Sequence, residues 1–382
     1  MPDLIRHPEG LEKTGFRLEF IPIKIGAGMT ILIEAATYKQ TLFRKGEIDM
    51  STNVMEQLQL KAKANPQKVV FPEASEEKIL RAARQVRDMG IAYPILVGEP
   101  KTVSALAGRI GVSLEGITVV DHTDASKVER FVSEYAKINP DFPASALKRM
   151  LKAPLHFAVM MVKLEEADCM VAGLSHTTGE VIMASEMIIG LQEGISTVSS
   201  TGILLIPGYE GPEGNLLGIA DCAVCPAPDS KELADIAIST ADTLHSLMGW
   251  EPRVALLSFS TKGSASHDRV ATVLKALEMV RERRPDLLID GELQLDSAIV
   301  PEVAAKKVRG DSPVAGRANI LIFPDLNAGN IGVKLVQRFA KGVAYGPLLQ
   351  GFAKPVSDLS RGAPVEEIVG AVTMVAVRAQ NK

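Results

Sequence analysis

The sequence of 382 residues has little cysteine, little aromatic character and no excess of charge of one sign. Its three cysteines, Cys169, Cys222 and Cys225, do not form the even-numbered framework of disulfide-stapled secreted domains. We therefore expect a reducing, cytoplasmic location. Cys222 and Cys225 make a lone C-x-x-C, which lacks the second pair of ligands that a structural zinc site needs.

Nucleic-acid and membrane partners are not expected. The 42 basic and 46 acidic residues leave a net charge of −4, without the basic footprint of nucleic-acid-binding proteins. The longest apolar stretch, "FIPIKIGAGMTILIEAATY", is interrupted by Pro22, Lys24 and Glu34, short of the roughly 20 apolar residues of a spanning helix. The Rossmann glycine fingerprint, the Walker loop and the G-x-S-x-G elbow are also missing.

The chain changes character near residue 65. Residues 1–49 show no β/α alternation and precede a second possible start at Met50, so they are interpreted as a translated leader or as a targeting or partner-binding arm. Mass spectrometry of the native N-terminus distinguishes these hypotheses. From residue 65 onward, short apolar runs alternate with amphipathic segments, which predicts an α/β fold with mostly parallel sheets covered on both faces.

Two loops have the composition of phosphate-binding turns. In the first, Ser260, Lys262 and Ser264 lie between the apolar run "RVALL" and a predicted helix. They form either an anion cradle or an ordinary hydroxyl-rich helix cap. In the second, Asn327 and Asn330 follow the predicted strand "NILIF" in a glycine-containing turn. The second turn leads through Lys334 into a helix, and its residues are candidate substrate ligands or parts of a plain β/α turn.

Histidines and carboxylates also follow predicted strands. His176 in "GLSHTTGE" and His267 in "GSASHD" lie on predicted strand-to-helix loops, where structural and functional roles both stay open. Asp290, Glu292 and Asp296 are expected where a strand ends, the edge at which open α/β sheets bind ligands. Without histidines at ligand spacing, these carboxylates are interpreted as partners of lysines and arginines rather than metal ligands.

The stretch "KPVSDLSRGAPVEEIVGAV" places Ser360 and Arg361 just ahead of a helix. Pro364 is predicted at the first helical position, with Glu367 in or next to the first turn. A hydroxyl, a guanidinium and a helix N-terminus together favour an anion.

Eleven strings, in order over about residues 65–380, resemble the phosphate acetyl/butyryl transferases, the phosphotransacetylase group. The strings are "VVFPEA", "MMVKLEEADCMVAG", "GIADCAV", "ADIAI", "LSFSTKGSASH", "DGELQLD", "PEVAAKK", "FPDLNAGNIGVK", "QRFA", "GPLLQGFAKPVSDLSRG" and "EEIVG". The short form is similar to the ethanolamine-utilisation type. The resemblance implies two α/β domains with a cleft between them, of the isocitrate/isopropylmalate dehydrogenase type. Domain I would take residues 50–194 and 345–382, and domain II residues 195–344.

The resemblance also implies a reaction. Acetyl phosphate and coenzyme A would give acetyl-CoA and phosphate reversibly, in a homodimer, with no metal or organic cofactor and with coenzyme A as a substrate. Ser360 and Arg361 match the family's Ser-Arg pair, and Glu367 stands where the family has its proposed general base, an aspartate. The contacts expected for the substrates or phosphate are His176, Ser260, Lys262, Ser264, Asn327, Asn330 and Lys334.

Two family arginines near coenzyme A are missing. One position falls on Met183 and the other within "YAKINPDFP", so coenzyme A is expected to use other cations, for which the candidates are Lys137, Lys148 and Arg149. These departures leave a propionyl or butyryl transferase and a non-catalytic acetyl-CoA sensor as alternatives. A dehydrogenase of the related fold is a third reading, without a nicotinamide site evident in the sequence.

Overall fold

The computed structural model describes residues 19–25, 29–35 and 54–380. The chain divides into two compact units, residues 1–50 and residues 51–382. In the first unit, β1 and β2 pair in antiparallel register from Glu19 opposite Ala35 to Ile25 opposite Met29. Apart from these two strands, the stretch interpreted as a leader lies outside the described residues.

Most of the strands after residue 65 are short apolar runs, as predicted for that part of the chain. They are β1 (Glu19–Ile25), β2 (Met29–Ala35), β3 (Gln67–Phe71), β4 (Ala92–Val97), β5 (Thr118–Val120), β6 (Cys169–Ala172), β7 (Ser199–Leu205), β8 (Leu216–Ala220), β9 (Arg253–Leu257), β10 (Leu288–Leu293), β11 (Ile320–Ile322), β12 (Val343–Gln350) and β13 (Val356–Asp358).

The helices fill the intervals between most of the strands. They are α1 (Val54–Ala64), α2 (Glu77–Asp88), α3 (Pro100–Ile110), α4 (Ala125–Ile138), α5 (Ala144–Met150), α6 (Pro154–Lys163), α7 (Thr178–Ile188), α8 (Ser230–Met248), α9 (Asp268–Arg283), α10 (Leu295–Ile299), α11 (Pro301–Lys307), α12 (Leu326–Phe339) and α13 (Val365–Ala379). Among the described residues, no helix combines the length and the apolarity that a membrane span requires.

The first sheet of the second unit has five strands in the order β13-β6-β3-β4-β5, all parallel. Its central strands are buried runs without polar alternation, as in Cys169–Ala172. Such strands need helices on both faces, and crossover helices supply them. The predicted α/β class is confirmed.

The second sheet has six strands in the order β10-β9-β11-β8-β7-β12. β10, β9, β11 and β8 are parallel, whereas β7 is antiparallel to both β8 and β12. A short loop without a helix joins β7 to β8, and such a connection can only pair strands antiparallel. The predicted domain boundary at residue 345 lies inside β12, a strand of this sheet.

The C-terminal helix α13 is apolar on nearly all faces, which is typical of a buried helix. Its buried residues run from Ile368 to Val377 without interruption, and it packs against α1, α2 and the strands of the five-stranded sheet. Because its body is immobilised in the core, its N-terminus holds the preceding Ser360–Arg361 loop in a defined place.

Candidate active site

A cavity of about 840 Å³ is lined by residues of both sheets of the second unit. It receives Gly173 and Asp358 from the ends of strands of the five-stranded sheet, and residues 200–202 from the six-stranded sheet. Of the residues predicted to contact substrate or to act in catalysis, six line it: His176, Asn330, Lys334, Ser360, Arg361 and Glu367.

Ser360 and Arg361 occupy the loop between β13 and α13, and both are exposed. The Ala363 backbone N–H donates to the Ser360 carbonyl at 2.9 Å, and Lys78 Nζ donates to the Gly362 carbonyl at 2.9 Å. These bonds hold the loop on both sides of Arg361.

Helix α13 begins one residue later than predicted. Pro364 is the N-cap, with an extended ψ of 164°, and Val365 is the first helical residue. Gly362 ahead of it has a φ of +106°, so the backbone is not yet helical there. Pro364 offers no side-chain cap to the helix N-terminus. The positive end of the helix dipole therefore lies beside Arg361, at the edge of the cavity.

The opposite wall depends on a residue whose role the sequence did not reveal, Glu73. Its carboxylate is buried and accepts hydrogen bonds from the backbone N–H groups of residues 173–176, at 2.9–3.2 Å. Burial raises the pKa of Glu73, but the hydrogen bonds from Ser175, His176 and Leu174 outweigh it and leave the pKa below its ordinary value. The sequence signals for Glu73 were its place two residues after β3 and within the string "VVFPEA".

His176 completes this arrangement. Its Nδ1 lies 2.8 Å from Glu73 Oε1. A carboxylate only accepts hydrogen bonds, so Nδ1 carries the proton and Nε2 lies on the opposite edge of the ring. The next residue, Thr177, caps α7 in a capping box with Glu180, which anchors the loop at its far end.

Asp358 joins the two walls of the cavity. Its Oδ2 accepts a hydrogen bond of 2.5 Å from Thr178 Oγ1, which ties β13 to the start of α7. Burial raises the pKa of Asp358, and the nearby Glu73 raises it further. The loop that carries His176 and the loop that carries Arg361 are therefore mechanically connected.

The turn predicted around Asn327 is helical, which corrects the predicted local structure. Asp325 caps α12 by accepting from the Ala328 N–H at 3.0 Å, so the helix starts at Leu326. Asn330 and Lys334 are four residues apart on one helix face and line the cavity, whereas exposed Asn327 does not line it.

The Ser260–Ser264 loop does not line the cavity. Its cradle holds an internal anion instead: Glu292 accepts from Ser260 Oγ at 2.7 Å and from the Gly263 N–H at 2.8 Å. Lys262 Nζ donates to Asp290 Oδ1 at 2.5 Å, and Ser264 Oγ accepts from the Thr261 N–H. Ser260, Lys262 and Ser264, which were predicted to bind phosphate, make hydrogen bonds that stabilise their own loop and its contact with β10.

The carboxylates following "LLID" are placed differently from the prediction. Asp290 and Glu292 lie inside β10 and are buried, and Asp296 lies in the short helix α10. Asp290 pairs with Lys262, and Asp296 pairs with Lys307 at 2.7 Å, as the interpretation of these two residues as partners of cations requires. Glu292 instead accepts from Ser260 and the Gly263 N–H. Within the described part of the chain, no group of three or more His, Cys, Asp or Glu side chains could hold a metal ion.

The remaining candidates lie away from the cavity or are unreactive at neutral pH. Lys137, Lys148 and Arg149 do not line it, and Lys148 pairs with Glu129. Cys222 does line it, but burial, and secondarily Asp221, raises its pKa to about 12, and Cys225 is raised to about 12 as well. Both cysteines are therefore protonated thiols at neutral pH.

The fold and the cavity define a class: a two-sheet α/β protein with a guanidinium, hydroxyls and a helix N-terminus at the wall of its cavity. The model of the family described as phosphate acetyl/butaryl transferase matches residues 53–376. The chain belongs to this family, as the resemblance predicted.

Relatives and solved structures agree with this membership. The chain is 42% identical to the phosphate acetyltransferase of Acetivibrio thermocellus, over 85% of this chain and 98% of that one. It is 44% identical to the phosphate acetyltransferase of Thermoanaerobacterium thermosaccharolyticum, over 84% and 97%. The EutD phosphotransacetylase from Staphylococcus aureus superposes with a TM-score of 0.78 at 34% identity, covering 86% of this chain and 100% of that one. A phosphotransacetylase from Streptococcus pyogenes superposes with a TM-score of 0.80 at 36% identity, covering 86% and 98%.

Proposed function

We propose that this chain is a phosphate acetyltransferase, which moves an acetyl group reversibly between acetyl phosphate and coenzyme A. Relatives that are 42% and 44% identical over nearly their whole length carry that name. The observation that carries the proposal is the position of Ser360 and Arg361 on the cavity wall, beside the N-terminus of α13.

This loop supplies what the acyl phosphate needs. Arg361 offers planar N–H donors for phosphate oxygens, and the helix N-terminus adds positive potential. As the thiol sulfur attacks the carbonyl carbon, charge develops on the carbonyl oxygen. One positioned donor at such an oxygen stabilises the transition state by about 3–4 kcal/mol. Ser360 and Arg361 are the donors that we assign to this task.

Substrate binding uses the rest of the cavity. Lys334 and Asn330 on α12 are the proposed contacts for the phosphate or the coenzyme, together with His176 on the opposite wall. Two of the groups on the wall are the proposed acceptors for the proton of the coenzyme A thiol, which has a pKa of about 8.5 when free. They are Glu367, by its place in the family motif, and His176.

The proposal includes no metal and no organic cofactor, with coenzyme A, acetyl phosphate and phosphate as the small-molecule partners. Neither nucleic acid nor a membrane is proposed as a partner. The cytoplasm is the proposed location, supported by the three free cysteines.

We also propose that the protein is a homodimer, supported by the exposed face of α12. Ile331, Leu335 and Phe339 are exposed by 56%, 50% and 83%, and their spacing of four places them on one face of the helix. Exposed apolar patches of this kind mark association surfaces. Leu335→Glu should give a monomer by light scattering, and a dimer unchanged by this substitution would exclude the face.

The test of the function is thioester formation from coenzyme A and acetyl, propionyl or butyryl phosphate. Arg361→Ala should lower kcat/KM about a hundredfold or more. Arg109→Ala is the matched control, since Arg109 is exposed on α3 and does not line the cavity. Faster turnover of propionyl or butyryl phosphate would reassign the acyl group. Binding of acetyl-CoA without turnover of any acyl phosphate would support the sensor alternative instead.

A further inference from the structure

The face of helix α13 that begins with Glu367 continues as an apolar surface inside the cavity. Gly370 and Met374 follow Glu367 by three and seven residues, so the three lie on one side of the helix, and each of them lines the cavity. At a rise of about 1.5 Å per residue, this apolar surface extends along the helix from about 4.5 Å to about 10.5 Å beyond Glu367. The wall of the cavity therefore changes from charged to apolar along α13.

Met55 covers this surface from the other side. It lies on α1, which packs against α13, and it lines the cavity together with Gln59, one turn further along the same helix. A Cβ built on Gly370 would lie 3.3 Å from Met55 Cε, so the methyl group of Met55 rests against the surface of α13 at this glycine. The thioether end of Met55 therefore forms one boundary of the cavity.

The part of the wall around Met55 suits an apolar group. Among the described residues that line the cavity on α1, and on α13 beyond Glu367, none carries a charge. The two cations of the wall with fixed charge, Arg361 and Lys334, come from the loop ahead of α13 and from α12. A phosphate is stabilised near these cations, whereas a hydrocarbon chain gains by leaving water at the apolar end.

We propose that Met55 is a specificity-determining residue, which limits the length of the acyl chain by closing the apolar end of the cavity over Gly370; this inference rests on the proposed function. An acyl phosphate is charged at one end only. With its phosphate at Arg361 and the N-terminus of α13, its chain points along α13 towards Met55. An acetyl group stops short of the thioether, and each further methylene of a propionyl or butyryl group comes closer to it.

The chemistry of methionine sets how strict this limit is. Its side chain is unbranched and flexible, so it gives way to a longer chain at a cost instead of excluding it completely. Apolar pockets discriminate substrates that differ by one methylene by about 10–200-fold. The pantetheine arm of coenzyme A is the other apolar group that could lie here. Because Val369 and Met374 are buried, this end of the cavity suits the terminus of a short chain, whereas the arm of coenzyme A continues towards the solvent.

The test compares the kcat/KM values for acetyl, propionyl and butyryl phosphate. In Met55→Ala, the ratio of kcat/KM for butyryl phosphate to that for acetyl phosphate should rise by about 10-fold or more, because the boundary is removed. In Met55→Leu, which conserves the side-chain volume, the same ratio should change by less than about threefold. Leu60→Ala is the matched control, since Leu60 is exposed on the same helix and does not line the cavity.

Gly370→Ala should have the opposite effect. The added Cβ meets Met55 Cε at 3.3 Å, and the flexible thioether has to move away from α13 into the cavity. The ratio of kcat/KM for propionyl phosphate to that for acetyl phosphate should therefore fall by about 10-fold. Alanine is also the better helix former, which keeps the variant folded. In the Met55→Ala background the same substitution should leave the ratio unchanged, because the side chain that it displaces is gone.

The outcomes separate this inference from the proposed function. A wild type that turns over butyryl phosphate as fast as acetyl phosphate refutes the role of Met55 alone, as does a Met55→Ala ratio within about twofold of the wild type. A raised KM for coenzyme A without a change in the ratio also refutes it and assigns the surface to the pantetheine arm. A wild type inactive on every acyl phosphate refutes the proposed function. The affinities of acetyl-CoA and butyryl-CoA, measured by calorimetry, then test Met55 separately: a relative gain for butyryl-CoA in Met55→Ala supports the limit, and no gain refutes it.

Discussion

Gly173→Ala should affect both walls of the cavity at once. Gly173 directly follows β6 ahead of the His176 loop, has a φ of +115°, and lies against the end of β13. A Cβ built there would come within 2.3 Å of Asp358 Oδ1 and within 2.6 Å and 2.7 Å of the backbone N and O of Leu359. The side chain of Asp358 can turn, but the Leu359 backbone has to shift, and Ser360 follows it directly.

The loss of free energy of unfolding expected for Gly173→Ala has two parts. A non-glycine residue in this sparsely populated backbone region costs about 1–3 kcal/mol. The overlap with Leu359 adds about 1–3 kcal/mol, as for other overpacked sites. Gly90→Ala is the matched control, because Gly90 has a φ of +70° and nothing within 4 Å of the added Cβ. Gly90→Ala should lower the free energy of unfolding only by the cost of the unfavourable backbone conformation, about 1–2 kcal/mol.

The assay combines urea unfolding with thioester formation at a temperature where both variants are folded. Gly173→Ala should lose more free energy of unfolding than Gly90→Ala by about 1–3 kcal/mol. Its kcat/KM should also fall by about a hundredfold, the loss expected when catalytic groups move by 1 Å. Gly90→Ala should keep its activity. Equal losses of stability, or full activity in Gly173→Ala, would show that the β13 end does not constrain the Ser360–Arg361 loop.

Three further outcomes follow from the buried polar groups. Glu292→Gln should lower the free energy of unfolding by about 1–3 kcal/mol, because the charged acceptor of the Ser260 loop is lost. The activity of this variant per folded molecule should be unchanged. A loss of kcat without a loss of stability would instead place the Ser260 loop in the reaction. Cys222 and Cys225, with pKa values raised to about 12, should resist iodoacetamide at pH 8 until urea is added, as followed by mass spectrometry. The pKa of Glu73 is lowered from 4.5, so its carboxylate contributes stability above about pH 4.5 that is lost as the pH falls through the lowered value. The free energy of unfolding of Glu73→Gln should therefore fall less steeply than that of the wild type as the pH is lowered below about 4.5. An identical pH dependence in the two proteins would contradict the lowered pKa.

Much of the fold could be predicted from local patterns. Buried parallel strands such as β6 are short apolar runs, and the helix α2 shows its 3.6-residue period and ends near Gly90, whose φ is +70°. The family resemblance was equally accessible, because long unusual strings such as "GPLLQGFAKPVSDLSRG" lie in order along the chain. The Ser360–Arg361 loop, singled out from its composition, does line the cavity.

Two predictions differ from the structure for two different reasons, a partner that is distant in sequence and a local helix cap. The Ser260 loop has the composition of a phosphate cradle, but the carboxylate of Glu292, 32 residues away, occupies it. The predicted turn at Asn327 is helical because Asp325 caps it, a choice that a glycine-rich segment leaves open. In the Ser260 loop, local composition specified the kind of interaction and left its partner undetermined.

The sequence by itself determined the α/β alternation, the family and the loop that carries Ser360 and Arg361, because each depends on residues that are near neighbours along the chain. The tertiary structure decided which polar groups meet in the cavity. Glu73 reaches His176 across 103 residues, and Thr178 reaches Asp358 across 180. Such contacts exist only because parallel strands bring their carboxyl ends to one edge of a sheet, whatever their separation in the chain.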